Sequence, residues 1–159
     1  GGMAHPNVVR LQEFYAAFNR KEGAAMGTLY APEATFSDPA FPGLVGKEVP
    51  GMWASLCEGA TDLRVELMEV SADDTTGTAR WEAWYTFSLT KRKVHNVINA
   101  RFTFRDGLVV AHEDEFSFWR WSRRARGLPG WLRGWSGFLR RQVQGQARKN
   151  LMRWLEKRG

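Results

Sequence analysis

Residues 94–121, VHNVINARFTFRDGLVVAHEDEFSFWRW, decide the fold because they predict two long strands joined by a tight turn. Apolar and polar side chains alternate along both halves of the stretch, as they do in strands that bury one face. Asp106-Gly107, between the two halves, is a strong signal for a hairpin turn. The stretch therefore predicts an antiparallel hairpin with one face turned toward a core.

Two more strand-like segments come before this hairpin. Residues 63–70 alternate in polarity, and residues 78–89 are rich in aromatic and β-branched side chains. Asp73, Asp74 and Gly77 lie between them and are typical turn residues. The four segments together predict a meander of antiparallel strands.

The N-terminal part of the chain has helical spacing instead. A helix is predicted from Pro6 to just before Gly23, a short second helix over residues 24–30, and a third over residues 47–57. Residues 34–38 predict a short strand between the second and third helices. Helices followed by a run of antiparallel strands are typical of the α+β fold class.

Composition limits what kind of protein this is. A chain of 159 residues is long enough for one domain whose core holds without disulfides or metal. Its single cysteine, Cys57, excludes an intramolecular disulfide and a zinc site built from several cysteines. No apolar run approaches the roughly 18–20 residues that a membrane span needs. No signal peptide is recognisable and Gly1-Gly2 is typical of a tag remnant, so we expect a cytoplasmic protein.

Charge divides the chain into two unlike parts. The net charge is +6, yet residues 1–119 contain 16 of the 17 acidic residues, whereas residues 120–159 contain 12 of the 23 basic ones. The basic part ends in a predicted helix with one apolar stripe, formed by Leu139, Val143, Ala147, Leu151 and Leu155. This helix is predicted to pack on its own chain or on a partner subunit, or to bind an anionic membrane surface. We expect no nucleic-acid partner because no recognised nucleic-acid module accompanies it.

Three stretches of the sequence resemble the nuclear-transport-factor-two-like superfamily. They are FYAAFN at residues 14–19, LYAPEATFSDP at residues 29–39 and FTFRDGLV at residues 102–109. The superfamily includes ketosteroid isomerase and the SnoaL-like polyketide cyclases. The resemblance implies a cone: a curved antiparallel sheet wrapped around three N-terminal helices, with a pocket at the open end. It also implies a homodimer.

The resemblance sets the expected domain organisation and the first site residue. We expect a SnoaL-like, ketosteroid-isomerase-like domain over residues 1–121 and a basic, Trp-rich extension over residues 122–159 that ends in the amphipathic helix. The catalytic base of ketosteroid isomerase falls on Asp38. Its oxyanion-hole tyrosine falls on Phe14, and its protonated carboxylic acid falls on or next to Ala100, so both of those groups are missing here.

The remaining site residues are predicted from strand alternation and from the resemblance. The resemblance implies that the strand faces that carry them point into the cone. His112 and Asp114 are two residues apart and share one face of the last strand. The walls of the expected pocket are largely aromatic, as is usual for a site that binds a hydrophobic small molecule. The predicted substrate-binding residues are Phe14, Trp53, Trp81, Tyr85, Phe87, Asn96, Phe102 and Phe116.

These residues suit acid–base chemistry. A carboxylate in an apolar cavity is poorly solvated, which raises its proton affinity toward neutral pH. Asp38 would remove a proton while His112, oriented by Asp114, donates one. This predicts an isomerase, cyclase or dehydratase that acts on a polyketide-, steroid- or terpenoid-like carbonyl compound, without a metal or cofactor. The same groups would also activate water to hydrolyse an epoxide or an ester.

Structural alternatives exist for each of these residues. Asp38, which precedes Pro39, would serve equally well to cap a turn. His112 and Asp114 would serve as a buried, satisfied pair that supports the sheet. The protein would then be a ligand-binding module without catalysis, or an adaptor that works through its basic helix.

Overall fold

The computed structural model describes residues 4–87, 91–117 and 135–158. The N-terminal half contains α1 (Pro6–Asn19), α2 (Gly23–Gly27), β1 (Tyr30–Ser37), β2 (Leu44–Val45) and α3 (Glu48–Gly59). The second half contains β3 (Arg64–Ala72), β4 (Thr76–Phe87), β5 (Arg92–Arg105), β6 (Leu108–Glu115) and α4 (Trp135–Arg158).

The six strands form one curved, unclosed sheet in the order β2-β1-β6-β5-β4-β3. The meander β3-β4-β5-β6 is antiparallel throughout, as the alternating segments predicted. β1 adds one parallel pair by lying alongside β6. The predicted α+β class, with three N-terminal helices and an additional C-terminal helix, is confirmed.

The start of β1 corrects the prediction for the second helix. That helix ends at Gly27 rather than at residue 30, and Tyr30 is the first residue of β1. Pro32 lies inside this strand, where the register between β1 and β6 shifts between Tyr30 and Thr35. Proline has no N–H to give to the ladder, so it is tolerated where the pairing is interrupted. The Tyr30 side chain is thereby buried in the core.

One face of the sheet carries the core, as the two-residue period predicted. Along β5 every second residue from Val94 to Phe104 is buried. Helix α1 covers this face with Leu11, Phe14 and Phe18, each at most 4% exposed. The result is an aromatic-rich main core between the helices and the inner face of the sheet.

Two sequence predictions fall partly or wholly outside the described residues. The last strand was predicted to continue to residue 121, but β6 ends at Glu115 and residues 118–121 lie outside the described part. The Gly- and Trp-containing connection to the C-terminal helix also lies outside it. In the ranges that are described, no helix is long and apolar enough to cross a membrane.

Helix α4 packs on α3 of the same chain. Leu151 is 1% exposed and belongs to the main core. Leu155 approaches Gly51 so closely that a Cβ there would lie 2.8 Å from Leu155 Cδ2. Arg158 donates two hydrogen bonds to the Glu58 carboxylate, at 2.8 and 3.0 Å. Packing on the chain's own body, one of the predicted destinations, therefore occupies Leu151 and Leu155 of the apolar stripe.

Candidate acid–base site

An open pocket of about 530 Å³ lies where β1 and β6 end side by side. The parallel register pairs Phe36 with His112 and Ser37 with Glu113, so the next residues, Asp38 and Asp114, are brought to the same place. The pocket is lined by Ser37, Asp38, Pro39, Asn99, Glu113, Asp114, Glu115, Phe116, Ser117 and Arg140. Two of the three predicted catalytic residues thus face one pocket.

The Asp38 carboxyl group is held by a turn. Its Oδ1 accepts hydrogen bonds from the backbone N–H of Ala40 at 2.7 Å and of Phe41 at 2.6 Å. The Asp38 N–H in turn donates to the Phe41 carbonyl at 2.9 Å. Asp38 therefore caps a turn and lines the pocket at the same time. Among the described residues no donor reaches Oδ2, so the turn fixes one oxygen and leaves the other for a ligand.

The environment of Asp38 raises the pKa of its carboxyl group from 3.8 to about 7. Burial is the larger cause because it penalises the charged form, and the nearby charge of Asp114 adds to it. The two backbone N–H groups lower the pKa but do not outweigh these effects. Asp38 keeps partial contact with solvent. At neutral pH it is therefore accessible and divided between its protonated and ionised forms.

A chain of buried hydrogen bonds leads from α3 to Asp114. Trp53 Nε1 lies 2.8 Å from Tyr30 Oη, which lies 2.8 Å from His112 Nδ1. His112 Nε2 lies 2.7 Å from Asp114 Oδ1. An indole N–H can only donate, so Tyr30 accepts it and donates its own proton to Nδ1. This assigns the neutral Nε2–H tautomer, which donates to the Asp114 carboxylate.

His112 reaches the pocket only through Asp114. Its side chain is 1% exposed, and its ring packs 4.1 Å from the Phe102 ring and 4.9 Å from the Phe36 ring, measured between centroids. Both ring nitrogens are engaged in the hydrogen-bond chain. The pair of His112 and Asp114 thus has the contacts of a satisfied buried pair, while the other side of Asp114 faces the pocket.

The predicted lining residues are distributed over three places. Phe116 lines the pocket beside Asp114. Tyr85 and Phe87 are half-buried and pack around Val94 in a second cluster, to which α4 contributes Val143. The others lie in the buried core and make contacts with its other aromatic rings or with the sheet; they are Phe14, Trp53, Trp81, Asn96 and Phe102.

Sequence reasoning missed two contributions to this site. Tyr30 was assigned to a helix, so its place in the hydrogen-bond chain was not foreseen. Helix α4 was expected outside the site, but its Gln144 side chain donates to the Pro39 carbonyl at 2.7 Å and Arg140 lines the pocket. Only the long-range pairing of β1 with β6 and of α3 with α4 reveals these contacts. Within the three described ranges, no group of three or more His, Cys, Asp or Glu side chains is placed to hold a metal ion.

Comparison with known proteins places this geometry among related folds. A family model described as a SnoaL-like domain matches residues 11–112. A search of curated proteins finds no match.

Several solved structures share the fold. A putative polyketide cyclase from Xanthomonas campestris is 20% identical, with a TM-score of 0.64 over 76% of this chain and 96% of that one. An epoxide hydrolase from Mycobacterium tuberculosis, described as LEH-like, is 13% identical, with a TM-score of 0.63 over 84% and 95%. A protein of ketosteroid isomerase-like fold from Catenulispora acidiphila, in complex with trimethylamine, is 18% identical, with a TM-score of 0.65 over 76% and 94%. At these identities the likeness concerns the fold alone.

Proposed function

The chain belongs to the SnoaL-like domain family, and on that premise we propose that it is an acid–base enzyme acting on a small carbonyl compound. The proposal rests on one observation: Asp38 and Asp114 line the same pocket. Burial, with the charge of Asp114 in addition, raises the pKa of Asp38 to about 7, as an acid–base role near neutral pH requires.

Asp38 is the group that moves the proton. In its ionised form, Oδ2 removes a proton from the carbon next to the substrate carbonyl. The C–H electron pair then forms a C=C bond while the carbonyl π electrons move onto oxygen, which gives an enolate. Neutral Asp38 returns the proton to another atom of the enolate, which completes an isomerisation. A pKa of about 7 suits both halves of this cycle at neutral pH.

Asp114 supplies the charge that tunes Asp38, and the buried chain behind it fixes that charge. The His112 N–H holds Asp114 Oδ1, and Tyr30 and Trp53 hold His112 in turn. We therefore assign His112 as a positioning residue rather than as the direct proton donor. Burial and, in addition, the charge of Asp114 keep part of the Asp38 population protonated.

A second reaction class uses the same base. The related structures carry the names of a polyketide cyclase and an epoxide hydrolase. Cyclisation of a polyketide needs the carbon nucleophile that proton abstraction generates, whereas epoxide opening needs an activated water. The pocket is open and its lining is mostly polar, so water has access to Asp38. Hydrolysis by water activation is accordingly our second candidate.

The experiment that tests the proposal follows proton exchange on a ketone and needs no knowledge of the natural substrate. Wild type is incubated with 2-tetralone in D₂O, and deuterium uptake next to the carbonyl is measured by NMR above the buffer rate. Asp38→Asn is expected to reduce this excess rate about 100-fold or more, as removal of a general base does. Asp74→Asn is the matched control, because this carboxylate is 94% exposed on the surface.

Two results would overturn the enzyme proposal. One is a wild-type rate equal to the buffer rate for 2-tetralone and for a set of related ketones. The other is an Asp38→Asn variant that exchanges as fast as wild type. If ketones bind without any exchange, the non-catalytic ligand-binding module that the sequence also predicted takes its place.

A further inference from the structure

The core contains two buried polar groups whose hydrogen-bonding capacity the described residues leave unused. They are the hydroxyl of Tyr15 and the indole N–H of Trp81, and neither atom has a partner in the part of the chain that the structure describes. Tyr15 is 2% exposed and Trp81 is 6% exposed, and their ring centroids are 5.5 Å apart. Native cores rarely leave such groups unpaired, because burial removes the hydrogen bonds of water. Two such groups in one place indicate a binding function.

The sheet register places Trp81 one inward-facing row away from Asp114. Trp81 lies on the inward face of β4 between Ala79 and Ala83, which are also buried. Ala79 pairs with Ala100, and Ala100 pairs with Asp114, so these three residues form one row across β4, β5 and β6. Trp81 itself lies two residues along β4 from this row and pairs with the buried Ile98 on β5. The alanine row beside Trp81 carries only small side chains between β4 and Asp114.

Tyr15 faces the same region from α1. Asp114 is near enough for its charge to raise the pKa of the Tyr15 hydroxyl, in addition to the larger effect of burial. The pKa of Tyr15 therefore lies well above its usual value of 10, and the group stays a phenol that donates a proton. Asp114 also lines the pocket, so it connects the pocket carboxyls with the two donors.

Two donors together select for an acceptor. An indole N–H can only donate, and a phenol that points at the same ligand donates as well. An oxygen atom with lone pairs satisfies both, whereas a hydrocarbon leaves both unpaired, which is costly in a buried site. The donors also gain strength when the oxygen becomes negative, as a carbonyl oxygen does on enolisation.

We propose that Tyr15 and Trp81 form a donor pair that binds the carbonyl oxygen of the ligand. The inference rests on the proposed function and extends it to the residues that orient the substrate and select an oxygenated compound. The positions where the related isomerase carries its two donors hold Phe14 and Ala100 in this chain. The donor pair proposed here comes from different residues.

The test compares two ligands of the same shape. Affinities of wild type for 2-tetralone and for tetralin, which lacks the oxygen, are measured by quenching of tryptophan fluorescence. Wild type is expected to prefer the ketone by about tenfold or more, because tetralin leaves the donors unpaired. Tyr15→Phe is expected to reduce this preference several-fold. Trp84→Phe is the matched control for Trp81→Phe, because Trp84 stacks on His95 at 4.8 Å, away from the core.

Two further measurements keep the test decisive. Because the Tyr15 hydroxyl bonds to no group within the described ranges, Tyr15→Phe is expected to melt at or above the wild-type Tm. In wild type, the Trp81 indole N–H resonance is expected to move downfield when 2-tetralone is added and to stay in place with tetralin. This resonance decides the role of Trp81 even if Trp81→Phe fails to fold.

Three results would overturn the donor pair. The first is a wild type that binds ketone and hydrocarbon equally well. The second is a Tyr15→Phe variant that keeps the full preference for the ketone. The third is this unchanged preference together with a lower Tm, which indicates that the hydroxyl binds a buried water instead. The proposed function fails separately. If the ketone preference depends on Tyr15 but no proton exchange occurs, the donor pair stands and only the enzyme proposal is lost.

Discussion

Oδ1 of Asp114 lies 2.7 Å from Nε2 of His112, and this contact anchors the negative charge that faces Asp38 across the pocket. The anchor is buried, whereas the two carboxyl groups meet a pocket that is open to solvent. The hydrogen-bonded interior thereby holds the charge that adds to the effect of burial on the pKa of Asp38.

The buried chain is tested by comparing two tyrosine variants. Tyr30→Phe leaves the N–H of Trp53 and Nδ1 of His112 unpaired, so it is expected to cost about 2–4 kcal/mol of unfolding free energy. Tyr15→Phe is the matched control, because it removes a buried hydroxyl that has no hydrogen-bond partner among the residues that the structure describes. Urea unfolding of both variants measures the difference. Equal stabilities for the two would contradict the chain.

The raised pKa of Asp38 predicts a pH-dependent stability. The folded-state pKa of about 7 exceeds the unfolded value near 3.8, so the folded state binds the proton more tightly. The stabilisation is fully present below about pH 4 and is lost as the pH rises toward 7. Asp38→Asn keeps the Oδ1 acceptor for the turn and does not titrate.

The stability of Asp38→Asn relative to wild type is therefore expected to increase between pH 4 and pH 8, by about 2–4 kcal/mol. Taking the difference between the two proteins cancels the other titrating groups. Thermal unfolding across this pH range gives the measurement, with Asp74→Asn as a surface control. A difference that stays constant with pH would show that Asp38 has an ordinary pKa.

The packing of α4 on α3 predicts that the C-terminal helix stabilises the whole chain. Leu151 is 1% exposed in the core, so Leu151→Ala is expected to cost about 2–4 kcal/mol. Leu56→Ala is the control, because Leu56 on α3 is 43% exposed and its truncation should cost less than about 1 kcal/mol. Denaturant unfolding distinguishes the two variants. A helix that binds elsewhere, for example on a membrane, would leave Leu151→Ala as stable as the control.

The buried strand face and the hairpin turn depend on residues that are close in sequence, so local sequence patterns predict them. The buried face of β5 follows from a period of two between Val94 and Phe104, and the turn at Asp106-Gly107 has Gly107 at a φ of +78°, where glycine is favoured. The site prediction for Asp38 came from the resemblance of residues 29–39 to ketosteroid isomerase, and its turn-capping alternative came from the Asp38-Pro39 pair. These features need no knowledge of distant parts of the chain.

Other features depend on contacts between residues far apart in sequence. Tyr30 joins the site only because β1 pairs in parallel with β6, which places it near a histidine 82 positions later. Alternation predicts that Phe102 and Trp81 lie on the inward face of the sheet, but it does not show whether other side chains fill the space in front of them. In front of Phe102 that space is filled, because its ring packs against His112. Helix α4 packs on α3 at Gly51, and no sequence pattern around Gly51 indicates this contact.

Burial and, in addition, the charge of Asp114 hold the pKa of Asp38 near neutrality, and a ¹³C NMR titration of the Asp38 carboxyl group tests this most directly. The expected pKa is about 7 in wild type and lower in Asp114→Asn, because the variant keeps the burial but lacks the neighbouring negative charge. Asp74→Asn should leave the titration unchanged. An Asp38 that titrates near 4 in wild type, or one whose pKa is the same in Asp114→Asn, would contradict the claim.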